Sequence, residues 1–203
     1  MKPDGDLSSI RGASWFDDFV DPEATEISYV RAGFDHPVYI MYSSGPTGVP
    51  KCITHGAGGT LLQHLKELVL HTNLRRADKI CYFTTCGWMM WNWMVSSLAV
   101  GSTVVLYEGS PFYPSASAMF DLIDAYSVSV FGTGAKSISS WEKAGVKTRE
   151  SHKLNSFVTL LSTGSPLSPE RFEYVNSEIK HKLCLSYISG VTDKMSCLMP
   201  VRP

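Results

Sequence analysis

Val38-Tyr39-Ile40-Met41 is an apolar run that opens directly into Tyr42-Ser43-Ser44-Gly45-Pro46-Thr47-Gly48-Val49-Pro50-Lys51. The run predicts a buried strand, so the loop is expected at the end of a sheet, the edge where α/β proteins gather their ligands. Backbone N–H groups in a glycine-rich bend can converge on an anion, because no Cβ blocks the approach. Ser43, Ser44 and Thr47 add hydroxyl donors, and Lys51 adds a full positive charge. These are the parts that hold a polyphosphate, although an ordinary turn draws on the same residue types.

Beyond this loop, strand-like and helix-like runs alternate. Lys79–Phe83, Thr103–Tyr107, Val128–Phe131, Phe157–Leu161 and Leu183–Tyr187 are short, rich in β-branched or aromatic residues, and end near Gly, Ser or Pro. Between them, Leu61, Leu65 and Leu68 share one helical face, with Gln63, Lys66 and Glu67 displaced from it. Met119, Leu122 and Ile123 repeat that spacing behind Ser115, a candidate N-cap. Ser168-Pro169-Glu170 opens a further helix with the stripe Phe172, Val175 and Ile179. Strands separated by helices predict an α/β fold with a mainly parallel sheet flanked by helices.

Two more strand ends carry polar loops. Leu161-Ser162-Thr163-Gly164-Ser165-Pro166-Leu167 closes one strand and enters a helix, which offers free N–H groups and a positive dipole end. Tyr187-Ile188-Ser189-Gly190-Val191-Thr192-Asp193 closes another, and Asp193 has the hard oxygen chemistry that Mg²⁺ prefers. The segment Gly87-Trp88-Met89-Met90-Trp91-Asn92-Trp93 is read two ways. Positions 88, 91 and 95 share a helix face and would suit a core, while three tryptophans with Asn92 would suit the wall of a small acyl pocket. His64 and His71 lie a heptad apart without a third ligand, so structural roles are expected for the histidines. Gly132-Thr133-Gly134-Ala135-Lys136-Ser137 lacks the glycine spacing of a Walker A loop and is expected to be a helix start.

The first loop also fails as Walker A, since Pro50 and Cys52 flank Lys51 where Gly and Ser or Thr belong. It resembles instead the signature Ser-Ser-Gly-Thr-Thr-Gly-x-Pro-Lys of adenylate-forming enzymes, the acyl-CoA synthetase and luciferase superfamily. Pro46 is the one departure, removing a hydroxyl and a backbone N–H. The strand end at Gly164 is similar to that family's segment along adenine and ribose, which implies contacts from Gly164, Ser165 and Pro166. The third strand end looks like its aromatic-Gly-x-Thr-Glu/Asp motif, with Val191 where close relatives carry glycine. There the resemblance implies nucleotide contacts from Ile188, Ser189 and Gly190, Thr192 at the α-phosphate, and Asp193 on Mg²⁺.

It further implies that Ser43, Ser44, Gly45, Thr47, Gly48 and Lys51 hold pyrophosphate. Lys51 and Thr192 would act in catalysis, and Trp88, Met89, Trp91 and Asn92 would line the acyl site. Gly87–Trp93, with His55-x-Ala57-Gly58-Gly59-Thr60 and Leu161–Leu167, resembles the members of that superfamily that act on acetoacetate. The implied activity is therefore the ATP-dependent ligation of acetoacetate to CoA through an acyl-adenylate, with ATP, Mg²⁺ and CoA as cofactors. The likeness runs from about Trp15 to Met199. Residues 1–37, mixed and polar around the apolar knot of Trp15, Phe16 and Phe19, read as a peripheral approach segment. The resemblance implies part of an AMP-binding domain over 38–203, with the family's C-terminal domain absent. On that account the polypeptide alone is expected to be a nearly inactive fragment. The alternative is a non-catalytic nucleotide-binding or interaction module derived from such a synthetase.

Composition narrows the classes further. The chain has 203 residues, 44% hydrophobic, with a formal net charge of -1. That balance argues against nucleic-acid binding and fits a globular protein acting on small molecules. The start, Met1-Lys2-Pro3-Asp4-Gly5-Asp6, offers no apolar core for a signal peptide, and residues 88–107 are too interrupted for a membrane span. Five cysteines without a C-x-x-C pair point to reduced thiols and a cytoplasmic location.

Overall fold

The structure is a computed structural model that describes residues 6–43, 48–191 and 196–201. Ser44, Gly45, Thr47, Thr192 and Asp193 therefore lie outside the described residues. The chain divides into two units, residues 1–32 and 33–203, five positions earlier than the sequence suggested. In the first unit a single turn, α1 (Phe16–Phe19), buries none of its residues. Phe16 and Phe19 are exposed.

The second unit begins with β1 (Pro37–Ser43) and β2 (Lys51–Gly56), which pair antiparallel with Ser43 opposite Lys51. The predicted buried strand is thus one arm of a hairpin, separate from the main sheet. Val38, Ile40 and Tyr42 stay exposed at 45%, 59% and 69%, while Tyr39, Met41 and Ser43 alternate toward the partly covered face. A four-residue apolar run has the same appearance in a buried parallel strand and in a one-sided hairpin, and here the pairing decides it.

Next come α2 (Ala57–Leu65), β3 (Lys79–Tyr82), α3 (Met89–Val95), β4 (Thr103–Val104), α4 (Ala118–Tyr126) and β5 (Val130–Gly134). They are followed by α5 (Ala135–Lys143), α6 (Thr148–Ser151), β6 (Thr159–Thr163), α7 (Pro169–Tyr174), β7 (Cys184–Val191) and β8 (Ser196–Val201). The sheet order is β4-β3-β5-β6-β7-β8, parallel from β4 to β7, with β8 antiparallel at the edge. Alternate strand residues feed two cores, as pleating requires. Cys81, Phe131, Leu160 and Leu185 meet α4, α5 and the turn after α7 on one face. Ile80, Tyr82, Val130, Leu161 and Ile188 meet α3 and Leu68 on the other.

The helical faces depart from the simple stripe in α2. Leu61 is exposed, whereas His64 and Glu67 are buried beside Leu68. The helix widens into a π-turn over Lys66–His71, which rotates the face that follows. The two polar groups are satisfied where they sit. His64 Nδ1 shares a hydrogen bond with Ser96 Oγ at 2.8 Å, and Glu67 accepts from Trp93 Nε1 at 2.9 Å and Gln63 Nε2 at 2.9 Å. Likewise α4 starts at Ala118 with Ser117 in the cap position, two residues later than Ser115 suggested. Pro169 does open α7, as its fixed φ predicts.

The buried strand β3 yields a test. Burial pushes the Cys81 thiol up from its ordinary 9.0 to about 12. Between those values the unfolded chain releases the proton and the folded chain keeps it. Stability is therefore intact below the lower value and falls as pH rises through the window, by at most ~1.4 kcal/mol per pH unit. Urea unfolding at pH 8 and pH 10.5 is expected to show that loss, and Cys81→Val to diminish it. In the native state Cys52 and Cys86, both exposed, should react with a thiol reagent while Cys81 does not. Equal pH slopes for the two proteins would rule out this account.

Candidate functional site

From β3 the chain passes to β4 on one side, then returns to β5 on the other side of β3. That reversal is a topological switch point, and the crevice it leaves opens at the carboxyl ends of β3 and β5. A cavity of about 370 Å³ occupies this place, a size suited to a small ligand. Three strand ends build it. Tyr82, Phe83, Thr84 and Thr85 come from β3 and its exit, Gly134 to Ser137 from the β5–α5 junction, and Thr163 to Ser165 from the end of β6. Trp88 and Met90, at the start of α3, complete the wall.

Each wall has a local cause. The Tyr82 ring lies across Gly132 so closely that a Cβ there would fall 2.1 Å from Cδ2. Its other neighbour, Trp93, meets it edge-on with centroids 6.3 Å apart. Gly164 has φ +90°, a left-handed conformation that suits glycine and turns the chain away from β6. Thr163 Oγ1 donates to the Ile188 carbonyl at 2.7 Å, tying the end of β6 to β7. β5 runs into α5 without an intervening residue, through Gly134 in extended conformation. The first turn of α5 has no side-chain cap, so its N–H groups face the same edge as the cavity.

This arrangement gathers part of the sequence-derived site. Gly164, Ser165 and Trp88 line the cavity, while Pro166 follows as an exposed residue outside the wall. Met89 and Trp91 instead pack against the core under α3. Asn92 is buried and donates to Met41 Sδ at 3.3 Å, holding α3 to the hairpin rather than facing the cavity. Of the predicted acyl wall, Trp88 alone takes part, because Trp93 rather than Trp88 or Trp91 is the inward-facing tryptophan of α3. Ser43 and Lys51 sit opposite each other at the mouth of the hairpin, with Lys51 and Gly48 exposed.

Ile188 is buried in the second core, and Ser189 and Gly190 lie at a bulge where β7 pairs with β8. Lys136, Ser137, Thr84, Thr85 and Met90 line the cavity but were not singled out as site residues. The β5–α5 junction had a visible signal, a third strand–glycine–helix sequence, hidden by its mismatch to Walker A. Among the described residues, no group of three or more His, Cys, Asp or Glu could hold a metal, and no helix is long and apolar enough to cross a membrane.

Residues 9–192 match the AMP-binding enzyme family. Acetoacetyl-CoA synthetase from Danio rerio is 50% identical over 199 residues, covering 96% of this chain and 30% of the relative. Malonamoyl-CoA synthetase from Penicillium aethiopicum is 43% identical over 186 residues, covering 85% of this chain and 26% of the relative. The solved structure of acetoacetyl-CoA synthetase from Streptomyces lividans superposes with a TM-score of 0.83 at 35% identity, covering 95% of this chain and 31% of that one. The chain thus spans about 30% of the length of the curated acetoacetyl-CoA synthetase it matches.

Proposed function

The chain belongs to the AMP-binding enzyme family, and from that premise we propose that it is part of an acetoacetate–CoA ligase, activating acetoacetate as an acyl-adenylate before transfer to CoA. The observation that carries this reading is the single cavity shared by three strand ends at the switch point, where Gly164 and Ser165 meet Trp88. The chemical problem is a carboxylate attacking a polyanionic α-phosphorus. Such a site must neutralise charge and align two reactants, and it needs no covalent nucleophile.

In this proposal Ser43, Ser44, Gly45, Thr47, Gly48 and Lys51 hold the departing pyrophosphate. Gly164, Ser165 and Pro166 lie along the nucleoside, with Ile188, Ser189 and Gly190 at the neighbouring strand end. Thr192 meets the α-phosphate. The Asp193 carboxylate would hold Mg²⁺, which supplies charge neutralisation to the phosphates. Acetoacetyl and malonamoyl groups both carry a carbonyl on the carbon next but one to the activated carboxyl carbon. The acyl class proposed for this site is accordingly a short acid with a carbonyl at that carbon, with the β-keto acid acetoacetate as its substrate. Use of ketone bodies in cytoplasmic lipid metabolism is the setting proposed for such an activity.

Calorimetric titration of the chain with ATP·Mg²⁺ and with AMP tests the reading. Both nucleotides are expected to bind, and Lys51→Ala to weaken ATP ~10-fold while leaving AMP nearly unchanged, since AMP lacks the phosphates that Lys51 would meet. A folded chain that binds neither nucleotide would overturn the proposal.

A further inference from the structure

The cavity contains one charge that the adenylation chemistry above leaves unused. Its wall is aromatic or apolar at Tyr82, Phe83, Trp88 and Met90, and otherwise hydroxylic or glycine. Lys136 is its single charged residue among the described residues. Three other lysines have their ammonium groups engaged: Lys79 Nζ donates to the Tyr126 carbonyl at 2.9 Å, Lys147 pairs with Glu178 at 3.2 Å, and Lys180 donates to the Leu154 carbonyl at 2.6 Å. Lys136 Nζ has no such partner among the described residues, so its donors are available to a ligand.

Its backbone, in contrast, is firmly placed. Lys136 is the second residue of α5, which follows Gly134 of β5 directly. Ile138 and Trp141, fully buried, fix the inner face of that helix. The Ser139 and Ser140 hydroxyls donate back to the Ala135 and Lys136 carbonyls at 3.2 and 3.0 Å. Because Cα–Cβ bonds tilt toward a helix N-terminus, a first-turn side chain leans over the strand end and hence over the cavity.

We propose that the Lys136 ammonium is the donor that selects β-keto acids, by hydrogen-bonding the ketone oxygen of the acyl substrate. The assignment rests on the ligase reading above. A carbonyl oxygen accepts and never donates, so its recognition requires a donor, and Lys136 supplies the charged donor among the hydroxyls of this wall. A charge-assisted donor beside Trp88 and Met90 discriminates ~10-fold against an acid of equal length that lacks the acceptor, because only the keto acid gains that hydrogen bond. Lys136 acts here in specificity and takes no part in the bond-making step.

Tryptophan fluorescence, with Trp88 in the cavity wall as reporter, can follow titrations of acetoacetate and butyrate into the wild type, Lys136→Met and Lys136→Arg. The wild type is expected to bind acetoacetate ~10-fold or more tightly than butyrate. Lys136→Met should weaken acetoacetate alone and bring the two acids level, and Lys136→Arg should restore part of the preference. Thermal melts should coincide for the three proteins, since the side chain is exposed. A preference that survives Lys136→Met overturns the assignment, as does an equal loss for both acids, which would place the ammonium on the carboxylate. Nucleotide binding without any acid preference in the wild type overturns it too, while leaving the ligase reading standing. Binding of neither nucleotide nor acid sinks both.

Discussion

Gly132→Val is expected to cost the fold at least ~3 kcal/mol, the upper part of the range for overpacked cores. A Cβ at this position would lie 2.1 Å from Tyr82 Cδ2, 2.2 Å from Cε2 and 2.7 Å from Cγ. The ring can yield only toward the cavity it walls. It is 5% exposed, it sits on β3 between β4 and β5, and Trp93 closes its far side. In a domain of this size the loss corresponds to a fall in melting temperature of ~6–12 °C. The same displacement would push Tyr82 into the cavity it walls, so ligand binding should weaken further than stability alone requires. Gly132→Ala should be milder and of the same sign. Tyr82→Ala destabilises on its own by removing a large buried ring, yet in the Gly132→Ala background it should cost less than in the wild type, because it relieves the clash. A double-mutant cycle by urea denaturation that returned simple additivity would show that the ring does not press on residue 132.

The sequence conveyed the parallel sheet well because burial on both faces leaves a strong mark. Ile80-Cys81-Tyr82, Val130-Phe131 and Leu160-Leu161 are continuous apolar runs, and chain alternation with helices makes their parallel pairing the natural arrangement. The hairpin was less legible. Lys51-Cys52-Ile53-Thr54-His55-Gly56 has no apolar run to announce a return strand, so Val38–Met41 was assigned to the wrong sheet. Local pattern records hydrophobicity, and the choice of partner strand is a long-range property.

The site was legible in part for a related reason. The residues that follow β6 and β7 in sequence carry glycine, hydroxyls and a carboxylate, chemistry that is visible residue by residue. Lys136 was visible as well, but a motif template assigned it to a plain helix start. It is a helix start, and that start lies at the switch point, a fact fixed only when β4 and β5 are placed on opposite sides of β3. In α3, periodicity nominated positions 88, 91 and 95, whereas the helix begins at Met89 and buries Met90, Trp93 and Met94. A one-residue uncertainty in the start rotates the whole face, so the core face expected at 88, 91 and 95 falls instead on Met90, Trp93 and Met94.

Trp93 is where core and site depend on each other most. Trp93→Ala is expected to destabilise by ~3–5 kcal/mol, the usual cost of deleting a large buried aromatic side chain. The indole is 2% exposed and lies within the core of Leu68, Leu74, Ile80 and Tyr82. Trp93→Phe keeps much of that volume while deleting the Nε1 donor that reaches buried Glu67 Oε2 at 2.9 Å. It should cost less, ~1–3 kcal/mol, since a buried carboxylate loses one of its donors. Glu67→Gln retains an acceptor for the indole and should be milder than Glu67→Leu, which leaves Nε1 without a partner in an apolar setting. If the hydrogen bond matters as argued, Trp93→Phe should lose most of its effect in the Glu67→Leu background, because no buried carboxylate then remains to be stranded. Equal costs for Trp93→Phe in both backgrounds, measured by urea midpoint at fixed slope, would reduce Trp93 to a space-filling residue and remove Glu67 from the account of how the cavity wall is held.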